Sequence, residues 1–454
     1  MATRSTVPKR TRTLHRARPA QAVAVAFAAA IIVGSLLLLL PFSHAAQGHT
    51  TIIEALFTAT SAVCVTGLTV VDTATHWSPF GQVVILVLIQ AGGFGVMIFA
   101  SMIGLVIARK LSVRTRLTAA VETKALSLGD VKGLIRGIAK ISGLIEGSVA
   151  LLLTLRFWLG YGHDFGQALW LGVFHAVSAF NNAGFSVVEG NLVPFVSDPF
   201  IGLPIAAAII LGGLGFPVIM QLRREFRKPL HWSMNTKLVL WMTAVLLIGG
   251  TVLIGAVEWT NPKTLGSLDD PAKVLAAFFQ SVQTRTAGFN SIDIGSMHPA
   301  TWLGMDVLMF IGGGPAGTAG GIKVTTFAVL FFIMYTELTG EGAVNIFGKR
   351  LSRSVHRQAI TVVLLATALV VAACGSIMLL TGRDLDQVLF EVVSAFGTVG
   401  LSTGITAELP TGAHLILMVC MFVGRLGPMA LGSAIALHDR RLLYEYPQER
   451  PVIG

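Results

Sequence analysis

The chain has 454 residues, 54% of them hydrophobic and only 12% charged, with a formal net charge of +10 and a mean hydropathy of +0.75. A soluble surface needs roughly twice that share of charge, so a set of soluble domains is excluded and a polytopic membrane protein is indicated. The three cysteines (Cys64, Cys374, Cys420) are odd in number and scattered through apolar stretches, so they build neither a disulfide framework nor a zinc site. The basic excess lies in short loops between apolar runs, a mark of membrane topology and not of nucleic-acid binding.

Residues 1–18 are basic, 21–40 are apolar, and Ser43-His44-Ala45 is similar to a signal-cleavage site. The apolar run is longer than a usual signal core, and such a segment returns three more times before the same motif, so we read it as a retained first span. The motif is Ser61-Ala-Val-Cys-Val-Thr66-Gly67-Leu68, then Ser178-Ala-Phe-Asn-Asn-Ala183-Gly184-Phe185, Val282-Gln-Thr-Arg-Thr-Ala287-Gly288-Phe289 and Ser394-Ala-Phe-Gly-Thr-Val399-Gly400-Leu401. The four glycines are 117, 104 and 112 residues apart. Apolar segments precede each copy (about 20–42, 141–160, 238–257, 358–380) and follow it (about 80–108, 200–222, 303–335, 413–437). About 20 apolar residues cross a bilayer, so most of these can span. The stretches between (about 50–66, 164–183, 271–287, 384–399) are too short and mixed to cross, and they predict re-entrant pore helices.

The expected fold is an all-α polytopic membrane protein of four parallel span–pore helix–span repeats, with pseudo-four-fold symmetry around one central pore. Its parts are a basic amino terminus (1–18), repeat 1 (19–108), a cytoplasmic linker (109–140), repeat 2 (141–222), a loop (223–237), repeat 3 (238–335), a loop (336–357), repeat 4 (358–437) and a carboxy-terminal tail (438–454). Segments 1–18, 109–140, 223–237, 338–357 and 438–454 hold 26 of the 33 Lys and Arg, which puts both termini in the cytoplasm and the glycine turns outside. Eleven acids, from Asp72 and Asp164 to Asp386 and Glu408, lie in or near outer segments; they fit either a cation-concentrating rim or simple loop solubility.

A half-helix ending in mid-membrane leaves carbonyls that lipid cannot satisfy, and its carboxy-terminal end carries partial negative charge. Four such ends aimed at one axis make a cation site, and glycine lets the following backbone turn its carbonyls inward. The candidate ion-binding residues are Thr66, Gly67, Ala183, Gly184, Ala287, Gly288, Val399 and Gly400, acting through backbone carbonyls on an alkali cation. Helix-packing glycine, common among the 49 present, is the bland alternative, but packing glycines would not recur after half-helices.

The segment 303–335 is too long for one straight span, and its middle is Gly312-Gly313-Gly314-Pro315-Ala316-Gly317-Thr318-Ala319-Gly320-Gly321, then Ile322 and Lys323. So many glycines cannot hold a helix, and residues 312–323 are expected as an intramembrane gating loop below the filter. The order Gly-Lys-Ser/Thr of a phosphate loop is absent. Arg425, inside the last span, costs at least ~2.5–3.5 kcal/mol to insert and is expected to face the cavity and donate to the loop's carbonyls; a structural clamp on a kinked helix is the alternative. Arg285 is expected to brace the filter against an acid such as Glu391, and Asn181 and Asn182 to tie pore helix to filter. His76, His163 and His175 show no metal spacing and receive no role.

Asn181-Asn182-Ala183-Gly184-Phe185, Thr284-Arg285-Thr286-Ala287-Gly288-Phe289, the Gly312–Lys323 loop and Arg425 after Gly424 resemble the Trk/Ktr/HKT superfamily of potassium transporters over residues of about 20 to 440. Eight spans without an added amino-terminal pair are similar to the Ktr-type pore subunit. The resemblance implies potassium uptake at the cell membrane and a homodimer with one pore per protomer. It also implies a KtrA-like cytoplasmic ring of regulatory subunits that binds ATP or ADP, and sodium as an activator; no covalent cofactor is implied. Glycine at 67, where sodium-transporting plant relatives carry serine, matches the potassium-selective pattern. Two other classes compete. A coupled secondary transporter with broken helices predicts inverted halves, and Glu146 is its one weak midplane acid. A membrane enzyme needs clustered His, Asp or Glu at one depth, which the sequence does not offer.

Overall fold

The structure is a computed structural model that describes residues 19–45, 50–110 and 131–437. The amino-terminal 1–18, most of the expected linker (111–130) and the tail 438–454 lie outside the described residues. Helices dominate. In chain order they are α1 (Pro19–Leu38), α2 (Ile52–Cys64), α3 (Thr73–His76), α4 (Pro79–Lys110), α5 (Val131–Leu155), α6 (Phe165–Phe180), α7 (Pro199–Leu214), α8 (Phe216–Glu225), α9 (Met234–Glu258), α10 (Asp270–Gln283), α11 (Pro299–Phe310), α12 (Val324–Thr339), α13 (Arg353–Thr381), α14 (Leu385–Gly397) and α15 (Thr411–Leu437).

Local chemistry sets the ends. Thr51 and Glu54 form a capping box on α2, with Thr51 Oγ1 accepting from the Glu54 N–H at 3.2 Å and Glu54 accepting from the Thr51 N–H at 2.7 Å. Asp164 caps α6 and Asp198 caps α7. These acids, with Asp72 on α3, are helix caps, which gives part of the expected acidic rim a structural role.

Among the described residues five helices are long and apolar enough to cross a membrane (α1, α4, α5 with its continuation to Gly160, α9, α13), and the bent pair α7–α8 makes a sixth. Polarity is arranged for lipid outside and polar groups inside: Leu379 is 91% exposed while Arg425 is 2% exposed. Each of α2, α6, α10 and α14 has 13 to 16 residues. At 1.5 Å per residue they fall short of the roughly 30 Å hydrocarbon core. Each also packs on the second span of the preceding repeat, α6 on α4, α10 on α7, α14 on α11, and the circle closes with α2 on α15.

Three features depart from the sequence expectation. The single span expected over 200–222 is broken: Gly215, at φ 93° and ψ 143°, lies between α7 and α8, which meet at 100°. Helices α4 and α5 run into the segment expected as the cytoplasmic linker, because Arg and Lys do not stop a helix. A two-residue hairpin, β1 (Asn345–Ile346) and β2 (Lys349–Arg350), lies in the expected loop 336–357. Its turn uses Phe347 and Gly348, both with positive φ, as a tight hairpin requires, and Ile346 is buried in the same apolar cluster as Leu238 and Val324.

Candidate cation pore

The four motif segments have one backbone conformation. Each pore helix ends, and two residues before the motif glycine the chain turns left-handed at Val65 (φ 56°), Asn182 (φ 60°), Thr286 (φ 67°) and Thr398 (φ 50°). The glycines are left-handed too, at φ 92° for Gly67, 69° for Gly184, 81° for Gly288 and 94° for Gly400. Three of these turns are tied back to their pore helices by a serine. The Gly67 N–H donates to Ser61 Oγ at 3.0 Å, the Gly400 N–H to Ser394 Oγ at 3.1 Å, and Ser178 Oγ donates to the Phe185 carbonyl at 2.8 Å. In the third, Gln283 Oε1 accepts from the Phe289 N–H at 3.0 Å.

The turns close a ring in chain order. A methyl group placed on Gly67 would fall on the Ala183 carbonyl oxygen, 3.3 Å from Gly184 Cα; one on Gly184 would meet the Ala287 carbonyl oxygen at 2.5 Å and Gly288 Cα at 2.8 Å. On Gly288 it would fall on the Val399 carbonyl oxygen, and on Gly400 on the Thr66 carbonyl oxygen, 2.9 Å from Gly67 Cα. Any side chain here would strike the backbone of the neighbouring turn. The ring therefore brings together all eight candidate residues and sets each of the carbonyls of Thr66, Ala183, Ala287 and Val399 against the glycine of a neighbouring turn. The carboxy-terminal ends of α2, α6 and α14 meet glycines of their own repeats, Gly92 against the Val63 carbonyl, Gly212 against Phe180 and Gly424 against Phe396. The buried hydroxyls of Thr66, Thr286 and Thr398 have no protein partner.

The segment Ile311–Lys323 separates α11 from α12 and, apart from half-buried Pro315 and Lys323, is buried. Its backbone is stitched to the break in repeat 2: the Gly314 N–H donates to the Gly213 carbonyl at 2.7 Å, the Thr318 N–H to Gly212 at 3.1 Å, and the Phe216 N–H to Ala316 at 3.1 Å. Within the loop the Gly312 N–H donates to Ile322 at 2.8 Å and the Gly317 N–H to Gly314 at 3.3 Å, while Gly313 accepts from the Val324 N–H at 3.0 Å. Gly320 abuts Thr398, and Gly321 abuts Gly397. Lys323 Nζ donates to the Ala319 carbonyl at 2.5 Å, and Arg425 Nη1 donates to the Thr318 carbonyl. Arg425 Nε and Nη2 have no protein partner.

Arg285 does not reach Glu391. Its Nη2 donates to the Gly312 carbonyl at 3.3 Å, while Glu391 is occupied by Ser402, Thr403 and Thr406. Asn182 joins turn to turn and turn to loop, its Nδ2 donating to the Arg285 carbonyl at 3.3 Å and its Oδ1 accepting from Thr318 Oγ1 at 2.9 Å. Asn181 reaches instead to Gln90 at 2.7 Å and Glu146 at 3.3 Å. Glu146, also held by Gln90 Nε2 at 3.1 Å, is thus a partner in a network between repeats 1 and 2. Sequence reasoning missed the left-handed residue two places before each glycine: Asn182 is a type that favours αL, but Val65, Thr286 and Thr398 carry no such signal. Among the described residues no group of three or more His, Cys, Asp or Glu is placed to hold a metal ion.

Short helices packed in a circle, each ending at a glycine turn that abuts the next, belong to an all-helical polytopic membrane protein. The TrkH family, described as cation transport proteins, matches residues 4–441, and the chain belongs to it. The chain is 40% identical over 439 residues to Ktr system potassium uptake protein B of Bacillus subtilis, covering 97% of each. It is 36% identical to Potassium/sodium uptake protein NtpJ of Enterococcus hirae, covering 97% of this chain and 98% of that one. The crystal structure of the potassium transporter TrkH from Vibrio parahaemolyticus shares the fold, with a TM-score of 0.70 and 19% identity over 94% of this chain and 87% of that chain. These relatives are transporters, and this is not an enzyme family.

Proposed function

We propose that the protein takes up potassium across the plasma membrane through a gated, channel-like pore, with one filter glycine per repeat and both termini in the cytoplasm. The observation that carries this reading is the ring in which each glycine turn lies against the next turn's carbonyl, because a circle of fixed carbonyls is what replaces the hydration shell of an alkali cation. Membrane potential drives the flux, at ~2.3 kcal/mol per charge per 100 mV, so the pore itself needs no ATP. The loop 312–323 is the gate, latched by Arg425. Relatives named as potassium uptake proteins of a Ktr system support the substrate and a KtrA-like nucleotide-binding ring, and a relative named for potassium and sodium supports activation by sodium. A homodimer completes the assembly.

The test is ion flux into vesicles containing the purified protein, with and without a cytoplasmic partner. Saturable potassium entry that outpaces sodium entry, rises with external sodium and responds to ATP or ADP only with the partner present is the expected result. Equal entry of both ions at all concentrations would overturn the potassium assignment.

A further inference from the structure

Nine residues before the ring glycines stand Thr58, His175, Phe279 and Glu391, and two residues after them stand Thr69, Ser186, Asn290 and Ser402. In repeat 2 the two positions are joined. His175 is fully buried in α6, its Nδ1 2.8 Å from the Leu171 carbonyl and its Nε2 2.9 Å from Ser186 Oγ. A carbonyl only accepts, so Nδ1 carries the proton and Nε2 of the neutral ring accepts the Ser186 hydroxyl. In repeat 4 the fully buried Glu391 of α14 makes the same reach. Its Oε1 accepts from Ser402 Oγ at 2.6 Å and from the Thr403 N–H at 3.0 Å, and its Oε2 from Thr406 Oγ1 at 2.7 Å. Repeats 1 and 3 lack the strut: Thr58 Oγ1 has no protein partner, and Phe279 has no polar atom.

We propose that His175 and Glu391 are positioning residues for ion discrimination, holding the outer side of two opposite turns of the ring from their pore helices while the turns of repeats 1 and 3 go without. The four repeats share the backbone turn but not this side-chain support, so the filter is stiffened along one diagonal. Carbonyls that must keep their separation to reject the smaller sodium ion depend on such support; a turn freed to close around the ion loses the distinction. The proposal rests on the ring being the filter.

The experiment compares Ser186→Ala, Ser402→Ala, Thr69→Ala and Asn290→Ala by the ratio of potassium to sodium uptake, with melting temperature in detergent measured alongside. We expect the two serine variants to lose about five- to tenfold in preference, the scale of one lost hydrogen bond, and the other two to stay within about twofold. Glu391→Gln, whose amide oxygen still accepts from Ser402 and Thr403, keeps most of the preference that Glu391→Leu forfeits. A packing role alone would lower melting temperature and leave the ratio intact. Unchanged ratios in both serine variants, or equal loss at all four positions, overturn the proposal; if Gly67→Ser shifts the ratio in the same assay, the filter reading survives that failure, and if it does not, both fall.

Discussion

Gly67→Ser lowers the preference for potassium over sodium by about tenfold or more, read as the ratio of half-saturating concentrations in reconstituted vesicles. Two costs coincide at this position. The backbone sits at φ 92°, where a side chain is strained by ~1–3 kcal/mol. The new Cβ also falls on the Ala183 carbonyl oxygen, with Gly184 Cα 3.3 Å away, so the turn of repeat 1 or repeat 2 has to move. The displaced atom is a carbonyl of the ring itself, which converts a packing fault into a change of coordination. Strain common to both ion-bound states cancels from the ratio, so the loss comes from the displaced carbonyl, and a difference of about 1.4 kcal/mol between the two ions there is a factor of ten. Gly143→Ser is the matched control, because a Cβ at Gly143 meets nothing within 4 Å. An unchanged ratio in Gly67→Ser would remove this glycine from the filter.

Arg425→Ala raises the initial rate of potassium entry about tenfold at equal protein in the membrane. The guanidinium donates to the Thr318 carbonyl, and in the proposed gate this bond belongs to the closed state. A hydrogen bond to a charged group contributes about 1.5–3 kcal/mol, and losing that much from the closed state shifts a two-state gate by one to two powers of ten. Removing a positive charge beside the path also relieves repulsion of the incoming cation. Arg425→Lys keeps the charge without the fork and falls between the two. Flux equal to that of the unaltered protein would leave Arg425 as a clamp on α15 and nothing more.

The four turns and their pore helices are legible in the sequence because two signals coincide there: apolar runs too short to cross, and a glycine at the same place in each copy. Helices at 52–64, 165–180, 270–283 and 385–397 occupy the stretches that the sequence expects as half-helices. The break at Gly215 was hidden, since Gly212, Gly213 and Gly215 read equally well as packing residues in an apolar run. Side-chain pairings were also out of reach. Arg285 and Glu391 look like natural partners by charge, but Arg285 turns to the Gly312 carbonyl and Glu391 to hydroxyls of its own repeat, choices made by three-dimensional proximity. The strut between His175 and Ser186 could have been found by setting the four copies side by side, where an ionisable residue, His175 or Glu391, stands nine positions before the glycine and a serine two positions after it in repeats 2 and 4 alone.

The most direct measurement is an anomalous difference map from crystals of the protein grown in rubidium, a heavy stand-in for potassium. Peaks on the axis, within coordinating distance of the Thr66, Ala183, Ala287 and Val399 carbonyls and displaced by excess potassium, are what the ring predicts. Rubidium bound only at acidic surface loops, with none between those carbonyls, would contradict it.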